Sequence, residues 1–169
     1  MIARTLPVLL IITALILTAI LAIVFSPQLP NRIASHFGID GKPDGFMGKD
    51  AFLITMVGLQ FGLAIFLTGM GWIAAKLPKS MINIPHREYW LHADRAAETL
   101  SWLQGVMNWI TACTTTFMAL IFYLVIQANL QAEVKLPTLG FTLLMVAYLI
   151  AILVLVVRIT LHFRRIPVS

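Results

Sequence analysis

The sequence predicts an all-α, polytopic membrane protein: a four-helix bundle with a structured outer loop between helices 1 and 2 and a cytoplasmic extension of helix 3. Three observations predict it. Sixty per cent of the 169 residues are hydrophobic and only 11% are Asp, Glu, Lys or Arg, whereas soluble domains carry about a quarter charged residues. Four apolar runs, Leu6 to Phe25, Ala51 to Ala75, Val106 to Ala128 and Leu139 to Val157, each meet the roughly 17–25 residues that a helix needs to cross the hydrocarbon layer. None of the runs carries Lys, Arg, Asp or Glu between its ends, so every backbone group is satisfied within a helix and no charge is stranded in lipid.

The first run follows Arg4 and has the look of a secretory signal. Its length is that of a spanning helix, and Pro27 falls just after the Val24-Phe25-Ser26 stretch where cleavage would occur. We therefore read helix 1 over about 6–25, with helices 2 to 4 over about 51–75, 94–128 and 139–160, in one domain covering residues 1–169.

An even number of crossings puts both termini on one side. With the termini inside, the inner segments hold Arg4, Lys76, Lys79, Arg87, Arg95, Arg158, Arg164 and Arg165, and the outer segments hold Arg32, Lys42, Lys49 and Lys135. Eight cations against four place the N- and C-termini in the cytoplasm by the positive-inside rule. The net charge of +5 is dispersed over segment ends rather than gathered into a groove, so nucleic acid is not an expected partner. The single cysteine, Cys113, lies in the third run and excludes an intramolecular disulfide. His162, next to Arg164 and Arg165, reads as part of a basic tail drawn to anionic lipid.

Polar and small residues within the runs read as packing devices. Gln60 and Asn108 suit interhelical hydrogen bonds or headgroup contacts, and Gly58-x-x-x-Gly62 with Gly69 and Gly71 suits close helix approach. Thr111, Thr114, Thr115 and Thr116 have hydroxyls that bond to their own helix or to a neighbour.

The outer loop, Ser26 to Asp50, is the most specified non-helical stretch. Pro27 and Pro30 stop helix 1, and Leu29, Ile33, Phe37, Ile39 and Phe46 give the loop an apolar side. Asp40-Gly41 and Pro43-Asp44-Gly45 are turn signals. A compact cap is expected, with a short strand or helical turn around Ile33 to Phe37. His36, Phe37, Asp40, Asp44 and Lys49 are its candidate ligand or partner residues. The spacing of His36, Asp40 and Asp44 matches neither a calcium loop nor a two-histidine zinc motif, so the loop's metal content stays unassigned and turn formation is the simpler role.

In the inner loop, Asn83-Ile84-Pro85-His86-Arg87-Glu88-Tyr89-Trp90-Leu91 mixes aromatic and charged groups beside a membrane helix. His86, Arg87, Glu88, Tyr89 and Trp90 are the candidate interface residues, with Tyr89 and Trp90 suited to the headgroup belt. Helix 3 is expected to begin near Asp94, whose carboxylate favours a helix N-terminus, with Arg95 and Glu98 pairing across one turn. No nucleophile with a positioned base, phosphate loop, dinucleotide fingerprint or paired-cysteine motif is present. No catalytic residue and no cofactor are assigned.

The run Leu29-Pro30-x-Arg32-Ile33-Ala34-x-His36-Phe37-Gly38-x-x-Gly41-x-Pro43-Asp44-Gly45-x-x-x-Lys49 resembles the membrane domain of unknown function near the N-terminus of bacterial proteins related to SdpI, an immunity and signalling protein for a sporulation-delay toxin. His36, Phe37, Gly41, Asp44 and Lys49 match that pattern, and Ala34 stands where it has a second proline. The inner stretch from Asn83 to Leu91 looks like a subgroup with the same four-helix outline. The resemblance implies a multi-pass protein of the bacterial inner membrane. The function expected is non-enzymatic: an immunity- or sensor-like protein, or an accessory subunit of a membrane complex. Its expected partners are membrane lipids and another membrane protein or a second copy of itself. The alternative is a small transporter or membrane enzyme acting on a lipid or small amphiphile.

Overall fold

A computed structural model describes residues 2–74 and 76–164. Ala75, at the predicted end of the second run, and Arg165 of the basic tail lie outside the described residues, as does the side chain of Arg4. Among the described residues four helices are long and apolar enough to span a membrane: α1 (Ile2–Phe25), α2 (Lys49–Ala74), α4 (Ala96–Asn129) and α5 (Thr138–Arg164). Between α1 and α2 lie two strands, β1 (Arg32–Phe37) and β2 (Pro43–Gly48), and between α2 and α4 lie a 3-10 turn (Lys79–Met81) and a one-turn helix, α3 (Arg87–Trp90).

The spans run as single helices because nothing in them competes with the backbone ladder. Pro7 is the sixth residue of α1, where it removes one backbone donor near the start of the helix without ending it. Along α1 the buried residues Pro7, Ile11, Ala14, Thr18 and Leu21 recur every three or four positions, which is one face of a helix. The remaining face, including Leu9, Ile16 and Ile23, is exposed. Apolar exposure on this scale along α1, α2 and α5 exceeds what a water-soluble surface carries. The chain is a multi-pass membrane protein.

The central helix is α4, which packs against α1, α2 and α5. Its small buried residues Thr111, Ala112, Thr115 and Ala119 let the neighbours approach. By contrast α5 packs chiefly on α4 and keeps most of its surface open. The bundle is therefore built around one helix, with α5 as its outlying member.

At 34 residues, α4 spans about 51 Å at 1.5 Å per residue, against a hydrocarbon layer of roughly 30 Å. It begins later than expected. Arg95 holds the N-cap position with no side-chain cap, and the Asp94 carboxylate pairs with His92 at 3.2 Å instead of capping the helix.

The ends of α1 and α4 and the starts of α2 and α5 meet at one end of the molecule, where the larger core cluster lies: Leu21, Leu29, Ile33, Phe52, Phe122, Val125, Ile126 and Leu136. Phe52 and Phe122 face each other with ring centroids 5.7 Å apart. The loop expected there as a cap is an antiparallel hairpin, so the chain is all-α only in its spans.

Three predicted packing roles change. Gly58, Gly62 and Gly69 have open space where a Cβ would stand, and the exposed Gly58 and Gly62 pair faces away from the bundle. Gly71 is the α2 glycine that makes a close contact, against the Gln104 side chain of α4.

Candidate functional site

The hairpin is positioned from below by one side chain. Asn129, in the last turn of α4 and 5% exposed, accepts a hydrogen bond from the Ala34 N–H at 2.8 Å and donates to the Ala34 carbonyl at 3.0 Å. It also donates to the Val125 carbonyl at 2.9 Å. Ile33 and Ala34 are buried beneath the hairpin, so β1 is bonded to β2 on one edge and to a helix end on the other. That answers the need of an edge strand for partners.

The register runs Arg32 opposite Gly48, Ile33 opposite Met47 and Ala34 opposite Phe46, then shifts so that His36 faces Gly45 and Phe37 faces Pro43. A Cβ on Gly45 would stand 2.9 Å from the His36 Cβ, which is why glycine fits opposite His36. At the tip, Asp40 accepts a hydrogen bond from the Lys42 N–H at 3.1 Å. Gly41 adopts φ +78°, a conformation that favours glycine, and its carbonyl accepts from the Leu136 N–H at 2.9 Å. The tip is thereby tied to the segment joining α4 and α5.

Of the five outer-loop candidates, the structure brings two together: His36 Nδ1 contacts the Asp44 carboxylate. Their side chains are 75% and 52% exposed, so the pair stands in high dielectric. Among the described residues no hydroxyl or thiol is hydrogen-bonded to His36, so the pair lacks the nucleophile that a covalent mechanism needs. Asp40 faces Lys42, with 3.9 Å between charged atoms, rather than joining His36 and Asp44. Among the described residues no group of three His, Cys, Asp or Glu side chains is arranged to hold a metal ion. Phe37 packs inward onto the core, and Lys49 begins α2, its N–H bonded to the Asn31 carbonyl at 3.0 Å. The exposed face presents Ile39 and Phe46, with the Arg32 guanidinium 4.7 Å above the Phe46 ring. Under the hairpin, a hollow of about 360 Å³ is bordered by His36, Phe37, Met56, Val125 and Phe141.

At the opposite end the inner-loop candidates divide. Arg87 donates to the Ser80 carbonyl at 2.9 Å. With His86 and Glu88 it borders an open hollow of about 510 Å³. His86 has φ +52° and precedes α3 in the left-handed region. Tyr89 borders this hollow too and also a cleft on the other side, where Trp90 lies. Trp90 lies 4.8 Å from His162 and 5.5 Å, edge-on, from the buried Phe163, while its carbonyl accepts from the Thr99 hydroxyl at 2.8 Å. Trp102 stacks on His162 at 3.9 Å with the rings 10° apart. His162 is therefore held between two indoles and is not part of a basic tail. Arg95 does not pair with Glu98; its guanidinium lies 4.4 Å over the Tyr89 ring.

Between the ends, Gln60 makes the interhelical bond its position suggested, donating to the Thr115 carbonyl at 3.0 Å. Asn108 instead accepts within α4, from Gln104 at 2.9 Å. Thr111 and Thr115 bond to carbonyls of their own helix.

Sequence reasoning missed Asn129, Leu136, Trp102 and His162 as organising residues. An asparagine ending an apolar run was a usable signal for the first, since a buried amide needs partners. The others declare themselves only through contacts distant in sequence.

The comparisons bear on the hairpin. A family model described as "Domain of unknown function (DUF1648)" matches residues 13–60. That segment comprises the second half of α1, the whole hairpin and the first half of α2. No curated protein and no solved structure matches the chain.

Proposed function

We propose that this chain is a non-enzymatic protein of the bacterial inner membrane that recognises a protein partner through its hairpin, acting as an immunity- or sensor-like protein or as an accessory subunit of a membrane complex. The observation that carries this reading is the Asn129 anchor beneath Ala34. It holds a short hairpin rigid while Ile39 and Phe46 stay exposed, and a preorganised apolar and charged surface loses little entropy on binding. The family match to residues 13–60 covers this same unit, and its resemblance to the SdpI-related proteins supports the immunity and sensor reading. The excess of cations in the segments away from the hairpin supports a hairpin facing outward and termini in the cytoplasm.

A second reading, a transporter or membrane enzyme acting on a small amphiphile, draws on the hollow of about 360 Å³ bordered by His36.

The test is purification of the tagged protein from its native membrane in mild detergent, beside the variants Ile39→Ser and Phe46→Ala. A stoichiometric protein retained by wild type and lost from both variants supports recognition through the hairpin. A lone protomer carrying a specific small amphiphile, lost on His36→Ala, replaces it with the second reading.

A further inference from the structure

We propose that the cleft between α3, α4 and α5, at the end opposite the hairpin, binds the phosphate headgroup of an anionic phospholipid, whose acyl chain lies along α5. The cleft has a volume of about 560 Å³ and is bordered by Trp90, Arg95, Glu98, Trp102, Gly105 and Arg158, among others. A second hollow, about 670 Å³, shares Trp102, Arg158 and His162 with it and continues over Leu153, Val154, Val157 and Leu161. A chamber of mixed polarity thus opens onto an apolar slope on the helix that is most exposed to lipid. That sequence of surfaces matches an amphiphile.

The charges decide which amphiphile. Among the described residues neither Arg95 nor Arg158 forms an ion pair, and Glu98 is the one carboxylate bordering the cleft. Two guanidinium groups against one carboxylate leave a net positive lining. An aromatic cage for a quaternary ammonium would need free ring faces. Here the Tyr89 face is covered by Arg95 and one face of Trp102 by His162. A guanidinium stacked on a ring keeps its in-plane N–H donors free for phosphate oxygens. The Trp90 indole N–H is buried and has no acceptor among the described residues, a cost that a small shift of Trp90 toward the cleft it borders would let a phosphate oxygen relieve. The position suits a headgroup as well, since tryptophans and arginines at helix ends sit at the bilayer interface.

Three of the four tryptophans, Trp90, Trp102 and Trp109, border this cleft, so quenching of their emission by bromine-labelled lipid reads it directly. The full chain would be placed in phosphatidylcholine nanodiscs in which brominated phosphatidylglycerol, or brominated phosphatidylcholine, replaces an increasing fraction of the lipid. Saturable quenching is expected at a lower mole fraction of the brominated phosphatidylglycerol. Arg95→Gln and Arg158→Gln should each raise that midpoint about fivefold, the effect of one basic residue beside anionic lipid.

Gly105→Leu provides a variant that leaves the charges alone. A Cβ at Gly105 meets nothing within 4 Å, so a side chain can start from this position, which borders the cleft, without a clash at its first atom. It should abolish the saturable component while the thermal midpoint stays at the wild-type value. Equal quenching by the two lipids, or an unchanged midpoint in Arg158→Gln, overturns the proposal. Displacement of the brominated lipid by millimolar inorganic phosphate also overturns it, because the ligand would then be a free anion and not a lipid.

Discussion

Asn129 and Ala34, 95 residues apart, exchange two hydrogen bonds, so that a helix amide side chain completes the edge of a β-strand. The pair joins the hairpin to the end of α4 at a site from which water is excluded. Replacing Asn129 with Leu should leave the N–H and carbonyl of Ala34 without partners and lower stability by about 1–3 kcal/mol. Reversible unfolding in mixed micelles measures this loss. Limited proteolysis of residues 38–42 should accelerate in parallel, because the hairpin loses its seat before the helices separate.

Gln60 carries the opposite expectation. It is 2% exposed, donates one hydrogen bond to Thr115 and has a side-chain oxygen without an acceptor role among the described residues. Gln60→Met removes the bond and the unmet acceptor together, so stability should change by less than about 1 kcal/mol, in line with interhelical bonds in membranes. Gln60→Glu places a carboxyl group at the same depth and should destabilise by about 2–3 kcal/mol if it ionises there. Unfolding midpoints of the two variants, measured side by side, check the order.

Two glycines should respond differently to alanine. At Gly41 the backbone has φ +78° and a Cβ would come within 2.6 Å of the Leu136 carbonyl oxygen. Gly41→Ala should therefore cost at least about 1–2 kcal/mol from the left-handed conformation alone. At Gly58 nothing lies within 4 Å, and Gly58→Ala should leave the protomer's stability unchanged or slightly higher through helix propensity. Thermal midpoints and elution volumes of both variants provide the readout.

Sidedness can be checked without disturbing the core. In a Cys113→Ser background, Ile39→Cys at the fully exposed hairpin tip should react with an impermeant maleimide in intact cells. Glu88→Cys, in the exposed part of α3, should react only after the cells are opened. The reverse pattern would put the hairpin in the cytoplasm and turn the predicted topology over.

Much of the architecture was legible because its cause is local. An uninterrupted apolar run has one solution in lipid, which is a helix, and the runs from Leu6, Ala51, Val106 and Leu139 all take it. The turn signal at Asp40-Gly41 also reports local backbone preference and lies at the tip, whereas Pro43-Asp44-Gly45, read as a turn, opens strand β2 because pairing with β1 overrides the local preference. Less was legible at the candidate site. His36 and Asp44 lie eight residues apart, but pairing them required the register shifts of the hairpin. His162 and Trp102 are 60 positions apart, and nothing in either segment says that their rings stack. Gly58 and Gly62 show the converse, since a familiar spacing turned out to face outward.

The sequence by itself determined the number of spans, their approximate ends and the presence of a shaped segment after the first of them. Composition and periodicity act within one segment and do not depend on which helix lies beside which. Only the tertiary structure decided that α4 is central and α5 outlying, that Asn129 seats the hairpin, and that Trp90, Trp102, Arg95 and Arg158 border one cleft. In a bundle whose lipid-facing and partner-facing surfaces are equally apolar, hydrophobicity cannot select neighbours. Close packing of small residues and a few buried hydrogen bonds make that selection, and both require the partner helix to be in place.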